Sequence, residues 1–350
     1  MKYIAIDSGK YNTKVASLDK EKEVFRKFRF RTKYEAGNLL DDNIGKCTFL
    51  VGYDNKAYKI GNAAKNEAEL NTSKQSEIHK ICTLTAIAMC VSKENEEVAV
   101  AIGIPVSEYQ LFETREAYKN YILPDGKITM SLKTDEESPV KQVSFTIKKK
   151  YVFPESSGAL YVNVKEAQNT AAVIDIGNLN INCTYWENFT LDETYTITDE
   201  LGGDILITNL AQDLSAEFSR VDKNVVAKLL QNPPEKRYLM PIKKNPDIEQ
   251  RSKELITQRL LEHVNLIKRR CDGKRWPLDY LKLIFIGGTS HLLKNEIKQV
   301  FGEDVIIPQE PEYINVIGFL RRLCSKDKID VMHYINKDIS YEKKENAKAS

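Results

Sequence analysis

Residues 4–14 of the chain read Ile-Ala-Ile-Asp-Ser-Gly-Lys-Tyr-Asn-Thr-Lys, and residues 172–182 read Ala-Val-Ile-Asp-Ile-Gly-Asn-Leu-Asn-Ile-Asn. Each stretch is an apolar run, then Asp-x-Gly-x-x-Asn, then a second run that favours β-structure. A strand that ends in an acid and a glycine and turns directly into a partner strand predicts a β-hairpin. Two such hairpins predict two similar domains that face one another across a cleft.

The hairpin turns carry residues that suit a phosphate ligand. Gly9 and Gly177 let the backbone approach a ligand closely, and consecutive turn amides can bind anionic oxygens. Asp7 and Asp175 would repel a polyphosphate, so their presence implies a divalent cation between them. Mg²⁺ prefers to keep most of its waters, so the two acids would hold it through water. Lys14 could offset phosphate charge. The alternative is two unrelated turns, because Asp-x-Gly occurs often by chance.

Two glycine pairs later in the chain point to the same ligand. Residues 281–293 read as a buried strand, a Gly287-Gly288 turn, then Thr289 and a helix start. Amides at a helix N-terminus suit a phosphate or the adenosine face of a nucleotide, although a plain strand-to-helix turn has the same pattern. The pair Gly202-Gly203 likewise joins a predicted strand to a helix.

Taken in order, these segments resemble the actin-like ATPase superfamily, which also contains Hsp70 chaperones and sugar kinases. The two hairpins are similar to its phosphate-1 and phosphate-2 loops, and residues 283–290 are similar to its adenosine motif. Residues 101–109 are similar to the Gly-[Leu/Ile]-Pro-Val-x-x-Tyr stretch of plasmid-segregation actins, and residues 153–159 to their Pro-Glu-x-x-Gly-Ala stretch. Over roughly residues 1–335 the resemblance is to the ParM-like (ParM/Alp7A/StbA-type) segregation actins.

The resemblance implies an α/β chain with the actin-like ATPase fold, in which two RNase H-like domains face each other across a nucleotide cleft. Domain I would comprise residues 1–161 and 312–336, and domain II residues 162–311. Residues 337–350 are polar and charged, which predicts a disordered tail.

The resemblance also implies ATP or GTP as the nucleotide, with Mg²⁺, and assigns catalysis to Glu155 and Asp175. Glu155 would orient the attacking water; the alternative is an exposed carboxylate that the dipole of a following helix favours. Asp7 and Asp175 would hold the metal through water. The residues assigned to nucleotide binding are Asp7, Gly9, Lys10, Asn12 and Lys14, then Gly177, Asn178 and Asn180, then Gly202, Gly203 and Asp204, then Gly287, Gly288 and Thr289.

Two residues depart from the family pattern. Lys10 stands where relatives often have Ser or Thr, and its long side chain could reach either a phosphate or solvent. Thr289 brings a β-branched side chain to a position where a smaller residue is common, which changes the expected contacts of the adenosine motif. No residue in these motifs distinguishes adenine from guanine.

The composition agrees with a protein that works inside the cell. The length of 350 residues allows two domains with cores of their own. The 52 basic and 50 acidic residues nearly balance, so general nucleic-acid affinity is not expected. The six cysteines form no Cys-x-x-Cys pair, which favours reduced thiols over a zinc site. Because no apolar run approaches about 20 residues, and the first core strand starts at once, we expect a soluble cytoplasmic protein.

A segregation actin would be a filament-forming motor, built by self-contacts that do not close into a ring. Its contact with centromere-like plasmid DNA would be indirect, through a ParR-like DNA-bound adaptor, and no membrane partner is expected. A small-molecule kinase with the same fold is the alternative, with Asp199 or Asp204 as its catalytic acid, although both are explained more simply as turn and helix N-terminal acids. A nucleotide-gated chaperone or scaffold is a third possibility, without a recognisable peptide-binding domain.

Hydrophobic periodicity predicts the remaining elements. A strand is expected at 98–104 and β-rich structure at 128–153, with loops at 232–234 and 243–246. Helices are expected at 77–92, 156–169, 202–219, 248–271 and 313–324; the last would pack back on the first domain.

Overall fold

The computed structural model describes residues 1–41, 44–69, 71–165, 168–239 and 246–336. The chain divides into two compact units. Unit 1 comprises Met1–Val162 and the chain from Asn315 onward, and unit 2 comprises Asn163–Ile314. Within the described residues, no helix has both the length and the apolar character needed to cross a membrane.

Unit 1 is built mainly from strands, and its first helix follows seven of them. In chain order they are β1 (Lys2–Ser8), β2 (Asn12–Asp19), β3 (Val24–Arg31), β4 (Lys33–Ala36), β5 (Thr48–Tyr53), β6 (Lys56–Gly61), β7 (Asn66–Glu67), α1 (Glu77–Cys90), β8 (Glu96–Ile104), α2 (Val106–Tyr109), α3 (Phe112–Ile122), β9 (Lys127–Lys133), β10 (Lys141–Pro154) and α4 (Ser157–Val162).

The described strands of unit 1 form one sheet in the order β3-β2-β1-β8-β10-β9-β5-β6-β4-β7. Strand β1 lies inside the sheet and is buried along its whole length, which explains its continuous apolar run. Helix α1 packs on this sheet through a stripe that includes Ile81, Leu84 and Ile87, all of them buried. Burial of these aliphatic side chains stabilises the unit by roughly 1.5–3 kcal/mol each.

Unit 2 combines a smaller sheet with longer helices. Its elements are β11 (Thr170–Ile176), β12 (Ile181–Glu187), β13 (Thr190–Asp199), α5 (Gly203–Phe218), α6 (Lys223–Leu230), α7 (Pro246–Gly273), β14 (Lys282–Ile286), α8 (Gly288–Leu292) and α9 (Lys294–Phe301). Its described strands are ordered β13-β12-β11-β14. A further helix, α10 (Ile314–Ser325), leads from the end of unit 2 into unit 1.

The two units repeat one arrangement of four strands. In unit 1 the hairpin β1–β2 is antiparallel, β3 pairs with β2, and β8 lies parallel to β1. In unit 2 the hairpin β11–β12 is antiparallel, β13 pairs with β12, and β14 lies parallel to β11. A parallel neighbour requires a long crossover, and helices supply it in each unit. The predicted hairpins and the α/β class are therefore confirmed.

Helix α10 contacts α4 through bare backbone. A Cβ at Gly318 would lie 2.0 Å from the carbonyl oxygen of Gly158, and a Cβ at Gly158 would lie 2.4 Å from Cα of Asn315. No side chain fits between the two helices, so both positions require glycine. The predicted helix at 313–324 is confirmed, and its packing ties down the segment that follows β10.

Some helix predictions were wrong in extent. The helix expected at 156–169 is the short α4, and strand β11 already begins at Thr170. Arg321 donates to the carbonyl of Val162 at 3.1 Å, which satisfies an acceptor where the helix ends. Helix α6 was missed although its N-cap, Asp222, accepts from the amide of Asn224 at 2.8 Å. The tail at 337–350 lies outside the described residues, as does most of the loop expected at 243–246.

Candidate functional site

The first hairpin turns at residues 7–14, which we call the first tip. Asp7 faces Lys14 across the hairpin, and Oδ2 of Asp7 lies 3.5 Å from Nζ of Lys14. The amide of Gly9 donates to the carbonyl of Asn12 at 3.0 Å, and a Cβ at Gly9 would lie 2.9 Å from that oxygen. Because Cβ atoms do not approach an oxygen so closely, the turn requires glycine.

Buried hydroxyl groups support the first tip from below. Thr32 donates its hydroxyl to the carbonyl of Gly9 at 2.6 Å, and its Oγ1 lies 2.9 Å from that of Thr13. The hydroxyl of Ser8 lies 3.1 Å from Nδ1 of His79. Burial lowers the pKa of His79 to about 2, so the ring is neutral at physiological pH. These buried hydrogen bonds hold the turn in one conformation.

Glu155 lies at the end of β10, and its amide donates to the carbonyl of Ile104 at 2.8 Å. Its carboxylate forms an ion pair with Lys74, with Oε1 2.9 Å from Nζ. The same Nζ donates to the carbonyl of Ser8 at 2.7 Å, so Lys74 links Glu155 to the first tip. The exposed-carboxylate alternative for Glu155 is thereby excluded, because the ion pair is largely buried.

Sequence reasoning missed Lys74. It follows the polar run Asn-Thr-Ser in a segment without periodicity, and lysines in such segments are usually exposed. Here Lys74 is 5% exposed. No local pattern separates this lysine from its exposed neighbours, because its partners Ser8 and Glu155 are distant in sequence.

Further charges surround this ion pair in unit 1. Burial lowers the pKa of Lys10, and the positive charge of Lys74 acts in the same direction. Burial raises the pKa of Glu108, and the charge of Glu155 raises it further. Lys10 is therefore partly buried and within electrostatic range of the pair, rather than fully in solvent. A cation in that position favours an anionic ligand at the first tip.

The second hairpin turns at residues 175–182, which we call the second tip. Asp175 faces Asn182, as Asp7 faces Lys14 in unit 1. The amide of Gly177 donates to the carbonyl of Asn180 at 2.9 Å, and a Cβ at Gly177 would lie 3.0 Å from that oxygen. The backbone turn of the second tip therefore has the same hydrogen bond as that of the first tip.

The other two glycine motifs meet at the second tip. The amide of Gly203 donates to the carbonyl of Gly177 at 3.0 Å, and that of Asp204 to the carbonyl of Asn178 at 2.7 Å. The hydroxyl of Thr289 donates to the same Gly177 carbonyl at 2.8 Å. Three segments that are far apart in sequence therefore converge on one turn. The β-branched residue that departs from the family pattern serves here as a hydrogen-bond donor to that turn.

Close packing explains the glycines of these motifs. A Cβ at Gly202 would lie 2.5 Å from the carbonyl oxygen of Asn178. Gly287 has φ +89°, and its amide donates to the carbonyl of Pro311 at 3.0 Å. The amides of Gly203, Asp204 and Gly287 therefore already have partners in the protein, and those of Gly203 and Asp204 hold the second tip. Contact of the 202–204 and 287–289 segments with a nucleotide stays a prediction.

The acids considered for a kinase have protein partners. Asp199 accepts from Nε of Arg270 at 2.5 Å. Asp204 lies in the first turn of α5, with Lys223 at 3.8 Å. Both therefore act as turn and helix-terminal acids, which was the simpler interpretation.

Each tip by itself offers one carboxylate as an acceptor of hydrogen bonds from water. Within the described residues, no group of three or more His, Cys, Asp or Glu side chains could hold a metal ion directly. Asp7 and Asp175 supply hard oxygen acceptors, and Mg²⁺ commonly keeps several waters. The long 3.5 Å separation between Asp7 and Lys14 leaves that carboxylate able to accept a hydrogen bond from a coordinated water.

Comparison with known proteins agrees with this geometry. Residues 5–158 match the family model for the N-terminal domain of actin-like proteins. This part of the chain is therefore similar to actin-like proteins. No curated protein sequence matches the chain significantly. The chain is similar to Alp12, which has been solved as a filament. The two chains are 25% identical with a TM-score of 0.70, and the similarity covers 93% of this chain and 98% of Alp12.

Other solved structures share the fold of this chain. An ADP complex of the archaeal actin homologue Ta0583 is 17% identical, with a TM-score of 0.70 and coverage of 93% of this chain and 100% of Ta0583. ParM from Bacillus thuringiensis in its apo form is 15% identical, with a TM-score of 0.61 and coverage of 93% and 97%. The resemblance to ParM-like actins and the actin-like ATPase fold, both predicted from the motifs, are therefore confirmed.

Proposed function

We propose that this protein binds ATP or GTP with Mg²⁺, hydrolyses it, and forms nucleotide-dependent filaments that separate plasmid copies. The observation that supports the proposal best is the repeated tip geometry. The Gly9 amide bonds the Asn12 carbonyl at 3.0 Å, and the Gly177 amide bonds the Asn180 carbonyl at 2.9 Å. Each turn follows a strand that ends in an aspartate, so each unit offers one phosphate-binding turn and one acceptor for metal-bound water.

Each tip would take its own part of the polyphosphate. In unit 1, Lys10 and Lys14 would contribute positive charge beside the turn amides. In unit 2, the second tip and the adjoining segments 202–204 and 287–289 would contact phosphate, ribose and base. The ADP complex of Ta0583 supports a nucleotide as the ligand of this fold.

The chain's own carboxylates would then divide the work of hydrolysis. Asp7 and Asp175 would hold Mg²⁺ through its waters, and the ion would neutralise charge on the phosphates. Glu155 would accept a hydrogen bond from the attacking water and orient it towards the γ-phosphate. Lys74 links the Glu155 carboxylate to the first tip, and this link supports that role.

Filament formation is the second part of the proposal. Alp12 has been solved as a filament, and ParM proteins share the fold, which supports self-association of this chain. Non-closing contacts between copies would extend the polymer. A ParR-like adaptor bound to centromere-like plasmid DNA would engage it, in the cytoplasm and without a membrane partner.

Light scattering and pelleting test this proposal directly. The purified protein is mixed with ATP or GTP, with Mg²⁺ or with EDTA, while phosphate release is followed. We expect a Mg²⁺-dependent rise that decays as phosphate appears, and the better nucleotide identifies the preferred base. Asp175→Ala should weaken the Mg²⁺ dependence, whereas Glu193→Ala, at an exposed acid in the same unit, should not. Steady phosphate release without polymer for either nucleotide would favour the kinase or scaffold alternative.

A further inference from the structure

Lys74 is a buried cation to which the proposed chemistry assigns no role of its own. Its side chain is 6% exposed, and that of Glu155 is 13% exposed. Nζ lies 2.7 Å from the Ser8 carbonyl and 2.9 Å from Oε1 of Glu155. Ser8 stands between Asp7 and Gly9, so one ammonium group contacts both the backbone of the first tip and the carboxylate proposed to orient water.

The charges around Lys74 keep it protonated despite its burial. Burial acts to lower the pKa of Lys74, but the charges of Glu155 and Asp7 outweigh burial, and the pKa is raised. A buried ion pair contributes little net stability, because desolvation of both groups offsets their attraction. Stability therefore gives no strong reason for a lysine here, whereas orientation of the carboxylate does.

We propose that Lys74 is a positioning residue for hydrolysis, which holds the carboxylate of Glu155 at a fixed place relative to the first tip. This inference rests on the proposed function. The backbone of Glu155 is held by Ile104, and its carboxylate is held by Lys74. The Ser8 carbonyl belongs to the turn that would bind phosphate. Lys74 would therefore fix the position of the oriented water relative to the phosphate. Displacement of a reacting group by about 1 Å can cost about 10²-fold in rate.

The test compares Lys74→Met with Lys74→Arg, and uses Lys2→Met as the matched control. Lys2 is also 5% exposed in unit 1, donates to the carbonyl of Cys90 at 2.7 Å, and lies 3.4 Å from a carboxylate oxygen of Glu96. Removal of either lysine takes one cation away from a largely buried carboxylate, so both variants should lose similar stability. We expect only Lys74→Met to lower single-turnover hydrolysis, by roughly 10–100-fold, with nucleotide affinity changed less than threefold. Lys74→Arg should restore part of the rate.

A double-variant cycle separates positioning from a merely structural role. In a Glu155→Gln background there is no carboxylate to position, so adding Lys74→Met should lower the rate by less than threefold. This double variant also removes both buried charges, which keeps the test available if Lys74→Met alone does not fold. A full 10–100-fold loss in that background, or a loss confined to nucleotide affinity, would overturn positioning and favour direct phosphate contact. If the wild-type protein neither binds nor hydrolyses nucleotide, the proposed function itself fails, whatever the variants do.

Discussion

Gly287 lies against the carboxylate of Asp175. A Cβ at Gly287 would be 2.5 Å from Oδ1 of Asp175 and 2.4 Å from the carbonyl oxygen of Ile176. The strand-to-helix turn after β14 therefore limits where the acid of the second tip can go. Glycine at this position adopts the φ of +89° without strain. Its lack of a side chain also leaves room for the carboxylate that is proposed to hold metal-bound water.

Gly287→Ala should therefore damage the second tip as well as the stability of unit 2. The left-handed φ alone costs an alanine about 1–2 kcal/mol, and the contact with Asp175 adds to this. Gly302→Ala is the matched control, because Gly302 has φ +99° in the same unit and, among the residues that the structure describes, only its own chain neighbours lie within 4 Å of its Cβ position. Urea unfolding should show the larger loss for Gly287→Ala, and Mg²⁺-dependent nucleotide binding should weaken in that variant alone. Equal behaviour of the two variants would contradict the proposed constraint on Asp175.

Thr289→Val should loosen the second tip by removing one hydrogen bond. The hydroxyl donates to the Gly177 carbonyl at 2.8 Å, and that carbonyl keeps the Gly203 amide as a donor in the variant, so loss of the bond costs about 0.5–1.5 kcal/mol. Thr289→Ser keeps the hydroxyl and should lose less. Thr257→Val is the control, since that exposed hydroxyl bonds its own helix at the carbonyl of Lys253. Urea unfolding and nucleotide titration measure both effects, and wild-type values for Thr289→Val would show that the bond is unimportant.

Glu155→Ala should retain nucleotide binding and slow hydrolysis. Loss of a group that orients or activates water typically costs about 10²–10⁴-fold in rate. Filaments should persist longer in pelleting assays, because the nucleotide that supports them is consumed slowly. Glu113→Ala, an exposed acid of unit 1, is the control. Hydrolysis at the wild-type rate in Glu155→Ala would refute the water-orienting role.

Mild acid should destabilise both units through one histidine each. Burial lowers the pKa of His79 to about 2 and that of His263 to about 4, whereas an unfolded histidine titrates near 6.5. The unfolded state therefore takes up a proton first as pH falls below about 6.5, and each histidine removes about 2 kcal/mol of stability between pH 7 and pH 5. His79→Asn and His263→Gln should each flatten the dependence of the free energy of unfolding on pH. Urea unfolding at pH 7, 6 and 5 measures this, and unchanged slopes would contradict it.

The motifs predicted the turns of the candidate site because each turn is closed by residues that are neighbours in the chain. Asp-x-Gly-x-x-Asn predicts its own turn, since the Gly amide and the Asn carbonyl that close it are three residues apart. The strands around Asp7 and Asp175 could be predicted from their apolar runs for the same reason. The extent of α4 could not be predicted, because the Arg321 guanidinium that donates to its last carbonyl comes from a helix over 150 residues later.

The sequence by itself determined the two hairpins, the glycine turns and the family resemblance, because each depends on residues that are neighbours in the chain. Tertiary structure alone decided that Lys74 is buried between Ser8 and Glu155, and that Thr289 bonds Gly177. Those partners are separated by 66, 81 and 112 residues, so no short pattern encodes them. A lysine or threonine acquires such a role only when packing removes water and leaves a particular carbonyl or carboxylate as its partner.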